Sequence, residues 1–253
     1  MSHPTTDPAR APTRGLARLG VLVPFTNTNL EPDLALLAPP GVSIHAARLG
    51  GYDRDAIPDE AQMAGLGAAD LDEPLRLIQG VRPDVILYGC TSATLTHGPA
   101  FDRDLAGRIK AASGAETVTA AGALVHALGA LRVQRIGFAS PYVGEINDQA
   151  IAFLAEAGFE TAARADIGRV LDNDGQGALT PDAVFDLGLR ADAPGVEALV
   201  LSCTDMRAVE VVDRLEAATD KPVVCSNQAM MHQALEITGL APARACGQLL
   251  RAA

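Results

Sequence analysis

Short apolar runs alternate with longer amphipathic segments along most of the chain. The runs are rich in β-branched residues and predict strands at 19–23, 42–47, 85–88, 117–119, 135–139, 161–165, 198–201 and 223–225. Between them, apolar residues recur at three- and four-residue steps, which predicts helices at 71–79, 101–112, 121–131, 145–157, 182–189, 208–218 and 228–237. Residues 53–70 favour neither state, because Gly65 and Gly67 weaken a helix there. The alternation is typical of an α/β fold with mainly parallel sheets.

The two halves of the chain repeat the same landmarks in the same order, which indicates a duplicated unit. The matching pairs are R-L-G-V-L-V-P at 18–24 with R-I-G-F-A-S-P at 135–141, D-V-I-L-Y-G-C-T at 84–91 with E-A-L-V-L-S-C-T at 197–204, and the segment at 117–129 with that at 222–235. Each unit contains four predicted strands and ends its third strand on a cysteine. We therefore expect two lobes, each with a mainly parallel four-stranded sheet flanked by helices.

The expected domain boundaries follow from this repeat and from the composition of the two ends. The first lobe is predicted at 15–132 and the second at 133–240, followed by a C-terminal segment at 241–253. Whether part of that segment returns to the first lobe is left open. Residues 1–14 contain three prolines and no apolar run, so they are predicted to be a disordered arm rather than a signal peptide.

Composition and charge narrow the classes of partner. Hydrophobic residues make up 48% and charged residues 20%, as in a soluble globular protein. The formal net charge of -11 disfavours nucleic acid and anionic membranes as partners, and no apolar run is long enough to span a membrane. A cytoplasmic location with four reduced cysteines is expected. The cysteines and histidines have no metal-site spacing, so no metal is expected.

Cys90 and Cys203 are the candidate reactive residues. Ligand crevices of open parallel sheets lie beyond the carboxyl ends of the strands, where both cysteines are predicted to lie. Two thiols that face each other across a cleft between the lobes could react at opposite faces of one carbon atom. Backbone N–H groups at the strand-to-helix turns would lower the pKa of these thiols from about 8.5. For Cys90 or Cys203 taken alone, the alternative is a small residue packed in the core. We assign that core role to Cys225 and Cys246. Because a cysteine recurs at the same position in both repeated units, we interpret Cys90 and Cys203 together as functional residues.

Three polar segments fall at neighbouring strand ends. Asn27 either caps a helix or binds a ligand, and Tyr142 either presents its hydroxyl to the cleft or packs on a helix. Asn173 lies in an Asn-, Asp- and Gly-rich loop that is either a surface turn or a cover over an anionic ligand. No phosphate-binding glycine motif follows the first strand, so no nucleotide cofactor is implied.

With these residues the sequence resembles the Asp/Glu racemase superfamily, and within it the maleate cis-trans isomerase and arylmalonate decarboxylase branch. The resemblance spans residues 15–240 and rests on four motifs: G-V-L-V-P-F-T-N-T-N-L-E, Y-G-C-T-S-A, S-P-Y-V-G-E-I-N and L-S-C-T. It implies two pseudo-symmetric Rossmann-like lobes with the active site between them, no metal or organic cofactor, and a homodimer. It also implies that Cys90 and Cys203 are catalytic and that Asn27, Tyr142 and Asn173 hold carboxylates.

The expected activity is isomerisation of a small unsaturated dicarboxylate, such as maleate, through a thiolate adduct on Cys90. Backbone and side-chain donors at Thr91, Ser92 and Thr204, which follow the two cysteines, are expected to help bind the carboxylates. A two-thiol racemase and an arylmalonate-type decarboxylase are the alternative enzymes. P-F-T-N-T replaces the acidic motif of glutamate-racemase-type sequences, and decarboxylases usually have glycine where Cys90 stands. An inactive carboxylate-binding protein is the alternative without catalysis.

Overall fold

The computed structural model describes residues 15–251, so the predicted arm at 1–14 lies outside the described residues. Within them the strands are β1 (Ala17–Pro24), β2 (Val42–Leu49), β3 (Val85–Tyr88), β4 (Glu116–Thr119), β5 (Arg135–Ser140), β6 (Glu160–Asp166), β7 (Ala198–Leu201) and β8 (Val223–Cys225). The helices are α1 (Leu30–Leu37), α2 (Glu60–Gly67), α3 (Asp72–Gln79), α4 (Thr91–Leu95), α5 (Gly98–Ser113), α6 (Ala120–Leu131), α7 (Gly144–Glu156), α8 (Asn173–Gly177), α9 (Pro181–Arg190), α10 (Val212–Thr219) and α11 (Ser226–Thr238). None of these helices is long and apolar enough to cross a membrane.

Two four-stranded sheets have the same strand order and the same direction of pairing. The orders are β2-β1-β3-β4 and β6-β5-β7-β8, and every pair is parallel. The central strands β3 and β7 read V-I-L-Y and A-L-V-L and are buried at every position, because helices cover both faces of each sheet. The predicted fold class, two α/β lobes with parallel four-stranded sheets, is confirmed.

Local structure differs from the sequence prediction in several places, and the helices α1 and α4 are absent from the predicted set. The ambiguous region contains α2, whose start is capped by Asp59, and Gly65 is needed in it because a Cβ there would lie 2.8 Å from the carbonyl oxygen of Gly51. The predicted loop at 171–177 forms the short helix α8, whose first turn is capped by Asp172. Helix α10 begins at Val212 and not at 208, because the preceding residues form turns with buried side chains.

The last helix of each lobe also packs against the other lobe. Helix α11, which follows β8, contacts α6, α1 and the strands β3 and β4, and α6 contacts β8. At the C-terminal end, the N–H of Gly247 donates to Asp213 at 2.7 Å, and Gln228 donates to the carbonyl oxygen of Cys246 at 2.7 Å. This end therefore packs against α10 and α11. The boundaries at 15–132, 133–240 and 241–253 stay a prediction.

A buried carboxyl group lies where α1 meets α11. Asp33 on α1 is 3% exposed, and its Oδ2 accepts a hydrogen bond of 2.7 Å from Nδ2 of Asn227 on α11. Burial raises the pKa of the Asp33 carboxyl from 3.8 to about 7; the nearby Glu210 adds to this, and the hydrogen bond from Asn227 opposes it. Ionised Asp33 is thus unfavourable in the folded chain.

The raised pKa of Asp33 predicts how stability depends on pH. The folded chain binds the Asp33 proton more tightly than the unfolded chain does, so its contribution is fully present below the unfolded pKa of 3.8. That contribution is lost as the pH rises through about 7, with an upper limit of about 4 kcal/mol. Asp33→Asn should therefore make the loss of stability between about pH 4 and about pH 8 smaller than in the wild type, measured by urea unfolding.

The matched control for this experiment is Asp104→Asn, which changes an exposed carboxylate on α5 that pairs with Arg108. It should leave the pH dependence of unfolding close to that of the wild type. Equal pH profiles for the wild type and Asp33→Asn would show that Asp33 ionises as freely in the folded chain as in the unfolded one.

Candidate active site

A small cavity of about 40 Å³ lies between the two lobes, bounded by the carboxyl ends of their strands and the loops that follow. It contains all eight residues predicted from the sequence: Asn27, Cys90, Thr91, Ser92, Tyr142, Asn173, Cys203 and Thr204. The other lining residues are Pro24, Thr26, Tyr52, Pro58, Met63, Leu66, Gln176 and Asp205. Its size restricts the ligands to small molecules.

Equivalent strands bring the two thiols to this cavity. Cys90 follows β3 and occupies the N-cap position of α4, and Cys203 lies just after β7. Both side chains line the cavity and are 6% exposed, whereas Cys225 and Cys246 are completely buried in the core. The repeated position of the cysteines in the sequence thus corresponds to one shared site.

Cys90 has neighbours that favour its ionised form in part. Its Sγ lies 3.6 Å from Oγ of Ser92. Burial raises the pKa of the Cys90 thiol, and the backbone N–H groups of Ala93 and Ser92 and the Ser92 hydroxyl oppose that rise. The expectation that N–H groups would lower the pKa below that of a free thiol is therefore wrong for Cys90. Desolvation in the closed cavity outweighs the hydrogen bonds.

Cys203 lies in a less favourable place for a thiolate. Its S–H donates to Oε1 of Gln176 at 3.8 Å, and its sulfur accepts the N–H of Asp205 at 3.4 Å. Burial raises the pKa of Cys203 strongly, and the Asp205 carboxylate raises it further, against the opposing effect of the Tyr142 hydroxyl. The expected lowering of the pKa is wrong here too. Cys203 is the more firmly protonated of the two thiols.

Asn27 both caps a helix and lines the cavity. Its Oδ1 accepts the N–H groups of Asn29 at 3.1 Å and Leu30 at 2.9 Å, so it caps the start of α1. Its Nδ2 donates across the lobes to the Thr204 hydroxyl at 3.0 Å, and that hydroxyl donates to the carbonyl oxygen of Gly89 at 2.9 Å. An amide carries two donor hydrogens, so Nδ2 retains one for a ligand.

The remaining predicted residues are fixed by contacts within and between the lobes. Nδ2 of Asn173 donates to the carbonyl oxygens of Arg54 and Ala56 in the first lobe, and the Thr91 hydroxyl donates to Ser226 in the second. The Ser92 hydroxyl lies 2.9 Å from the Met63 sulfur. Tyr142 is 5% exposed, and burial raises the pKa of its hydroxyl well above 10, with the two nearby thiols adding to the rise.

Sequence reasoning missed Tyr52, Gln176 and Asp205. Tyr52 lies in the loop after β2, where its hydroxyl shares a hydrogen bond of 2.5 Å with Thr26 and its ring packs on Phe25. Gln176 comes from α8, which the sequence did not predict. Asp205 follows the C-T motif directly, so its position two residues after Cys203 was the available signal.

Asp205 joins the second lobe to the start of α1 in the first. Its Oδ1 accepts from the N–H of Thr28 at 2.9 Å, the N–H of Asn29 at 3.1 Å and Nδ2 of Asn29 at 3.0 Å. Burial raises the pKa of its carboxyl to about 6, although these donors oppose the rise. Asp205 thus tethers the Cys203 loop to the opposite lobe.

The side chains that line the cavity do not form a three-ligand metal group within residues 15–251. The described cavity contains two thiols, amide and hydroxyl donors and a single carboxyl group. This arrangement can perform proton transfer or nucleophilic addition by sulfur on a small ligand.

The fold has two parallel sheets, and each lobe places one thiol at a shared cavity. These features define a class of two-lobed α/β proteins with the active site between the lobes. The chain belongs to the arylmalonate decarboxylase family, whose model matches residues 19–250, so the resemblance drawn from the sequence is confirmed.

Relatives with known names cover nearly the whole chain. It is 29% identical to a maleate isomerase of Nocardia farcinica over 250 residues, which cover 94% of this chain and 96% of that protein. It is 27% identical to a maleate isomerase of Pseudomonas putida over 235 residues, 90% of this chain and 94% of that protein. A solved structure of a Nocardia farcinica maleate cis-trans isomerase, a cysteine-to-serine variant with a covalently bound succinylcysteine intermediate, superposes with a TM-score of 0.85. That structure is 26% identical, with coverage of 94% of this chain and 99% of that one.

Thiol alkylation should distinguish the four cysteines. Under native conditions near neutral pH, iodoacetamide should modify Cys90 first and Cys203 next, because both line the cavity and Asp205 disfavours the Cys203 thiolate. Cys225 and Cys246 serve as internal controls, since both are completely buried. Peptide mass spectrometry over time measures the order. Equal, slow labelling of all four would contradict the assignment of Cys90 as the reactive thiol.

Proposed function

We propose that this chain catalyses the cofactor-independent cis-trans isomerisation of a small unsaturated dicarboxylate, such as maleate. The observation that carries the proposal is that Cys90 and Cys203, from equivalent positions in the two lobes, line one small buried cavity. The maleate isomerases of Nocardia farcinica and Pseudomonas putida support the reaction class. The covalent succinylcysteine intermediate in the Nocardia variant supports a sulfur adduct.

In the proposed reaction, the Cys90 thiol first loses its proton to water, and the thiolate adds through sulfur to one carbon of the double bond. A C–S bond forms, the π bond breaks, and its electron pair moves to the neighbouring carbon, where the adjacent carboxylate delocalises it as an enolate. The central C–C bond is then single and rotates. Cys203 either stabilises this enolate or donates its S–H proton to the carbon and later takes a proton back. Re-forming the π bond expels the thiolate and releases the trans acid.

The different surroundings of the thiols support these roles. Burial raises the pKa of Cys90, but the backbone N–H groups of α4 oppose that rise, so Cys90 forms a thiolate more readily than Cys203, which suits a nucleophile. Cys203 is held in the S–H form by burial and by Asp205, which suits a proton donor. Its S–H donates to Oε1 of Gln176, which also lines the cavity.

Neutral donors are proposed to bind the two carboxylates. Asn27 has one amide hydrogen beyond its bond to Thr204, and Tyr142 presents a hydroxyl that burial keeps protonated. Asn173 lines the cavity and closes it against the first lobe. The hydroxyls of Thr91, Ser92 and Thr204 already donate to other groups, so the backbone N–H groups that follow the cysteines are proposed to supply the remaining donors.

Three expectations from the sequence remain part of this proposal. The reaction is proposed to need no metal or organic cofactor, because thiols can perform every step. A cytoplasmic location fits the four free cysteines, which suit a reducing compartment. A homodimer is the proposed assembly, since twofold dimers are the commonest oligomers of globular proteins.

Decarboxylation of an arylmalonate is the second candidate, because the family model is that of arylmalonate decarboxylase. That reaction needs one proton donor, for which Cys203 would suffice, and leaves Cys90 without a role. Release of carbon dioxide from a disubstituted malonate, with no turnover of maleate, would favour this second candidate.

Replacement of either thiol should abolish most of the activity. Cys90→Ser and Cys203→Ser should each lower the turnover of maleate to fumarate by several orders of magnitude, because a hydroxyl is a far weaker nucleophile and acid than a thiol. Cys246→Ser is the control, since this core thiol does not line the cavity. Proton NMR of the reaction mixture measures the rate, and near-wild-type turnover in either site variant would refute the two-thiol mechanism.

Loss of the second thiol should trap the adduct on the first. In Cys203→Ala, Cys90 can still add to maleate, but proton transfer in the later steps is impaired, so a species with the added mass of one intact substrate should accumulate. Peptide mass spectrometry should locate it on Cys90.

A racemase would instead exchange solvent deuterium into the α-carbon of a chiral acid and form no thioether. An inactive carboxylate-binding protein would bind maleate without an adduct in any variant. Either result would displace the isomerase assignment.

A further inference from the structure

The helices α6 and α11, which pack against each other where the lobes meet, bring together two histidines and a glutamate. His126 lies on α6, and His232 and Glu236 lie one turn apart on α11. None of the three lines the cavity. They therefore form a separate cluster whose chemistry the proposed isomerisation does not use.

The side-chain atoms of this cluster converge on one point. Nε2 of His126 lies 2.5 Å from Oε2 of Glu236, and Nδ1 of His232 lies 3.7 Å from the same oxygen. One potential ligand atom from each residue lies within 4.8 Å of the other two. An ion bound at about 2.1 Å from each atom needs only small side-chain movements.

We propose that His126, His232 and Glu236 form a binding site for one divalent transition-metal ion of the zinc class. Two imidazoles and one carboxylate are the ligand types that such ions prefer, and three protein ligands leave a coordination position for water. The side chains of His126 and Glu236 are 41% and 51% exposed, so an ion can enter from solvent.

A hydrogen bond between His126 and Glu236 does not account for the whole cluster. Nδ1 of His232 is buried and has no hydrogen-bond partner, and its distance from Glu236 is too long for a hydrogen bond. A buried imidazole nitrogen without a partner is costly. A metal ion between the three side chains would satisfy it.

The internal repeat explains why this site is single. His126 and His232 occupy matching positions in the repeated segments at 117–129 and 222–235, so the pseudo-symmetry brings them together where the two helices pack. The position four residues after His126 is Ala130, whereas Glu236 stands four residues after His232. Only one carboxylate is thus available, and we expect one ion per chain.

A bound ion would join α6 of the first lobe to α11 of the second. It binds the folded chain far better than the unfolded one, because the three ligands come from two helices distant in sequence. Its expected effect is therefore a rise in thermal stability that increases with metal concentration. The proposal is independent of the proposed isomerisation, since it concerns neither thiol.

Zinc binding to chelator-treated protein, measured by isothermal titration calorimetry, tests the site. The wild type should bind one zinc ion, and its melting temperature should rise with added zinc. His126→Gln and His232→Gln should each weaken that binding by at least about tenfold and remove the rise in melting temperature. His45→Gln is the control, because His45 lies on β2 and pairs with Ser43.

The cavity thiols are the competing ligands for zinc. Binding should persist in the Cys90→Ser, Cys203→Ser double variant. If it is lost there and kept in the histidine variants, zinc binds at the cavity, and the proposed site is wrong. Zinc binding that is equal in the wild type and in both histidine variants would likewise overturn it, leaving His126 and Glu236 as a simple hydrogen-bonded pair. Melting temperatures without metal show whether the variants fold.

Discussion

The cavity between the lobes depends on the contact that Asp205 makes with the amino end of α1. Its carboxylate accepts the N–H groups of Thr28 and Asn29 in the first lobe, and its own N–H donates to the Cys203 sulfur in the second. These N–H groups stand just before the first turn of α1, at the positive end of the helix dipole, where a carboxylate is favourable. The position of the second thiol is thereby tied to the opposite lobe.

A nearly symmetric scaffold gives two thiols different chemistry. The sheets have identical strand orders and the cysteines follow equivalent strands, yet only Cys203 has a carboxylate two residues later. The matching position after Cys90 is Ser92, whose hydroxyl and N–H favour a thiolate. Burial raises the pKa of both thiols, and the difference between Asp205 and Ser92 at this position helps to separate a better nucleophile from a better proton donor.

The sequence predicted the parts of the molecule that local patterns determine. The predicted boundaries of all eight strands agree with the structure to within a few residues. In an α/β fold, a short apolar β-branched run between two helices is nearly always a buried strand. The repeat located Cys90 and Cys203 together. Tyr52 and Gln176 could not be found this way, since they reach the cavity from a loop and a short helix whose positions depend on packing between the lobes.

The acidity of the thiols was predicted wrongly for a related reason. A strand-to-helix turn supplies N–H donors to the thiol, and the local sequence is enough to predict those donors. How far a thiol is desolvated depends on how tightly the other lobe covers it, and Cys90 and Cys203 are each only 6% exposed. The same limit applies to His126 and His232, which have no metal-site spacing in the sequence and meet only because two helices pack against each other.

The cavity also shows how an acidic chain can hold an acidic ligand. No lysine or arginine is among its described lining residues, and the whole chain has a net charge of -11. Carboxylates must therefore be held by neutral N–H and O–H donors, such as the amide of Asn27 and the hydroxyl of Tyr142. A cation would bind the charge of substrate and product equally, which strengthens binding without lowering the barrier between them. Fixed neutral donors can instead be placed where charge develops, next to the carbon that the thiolate attacks.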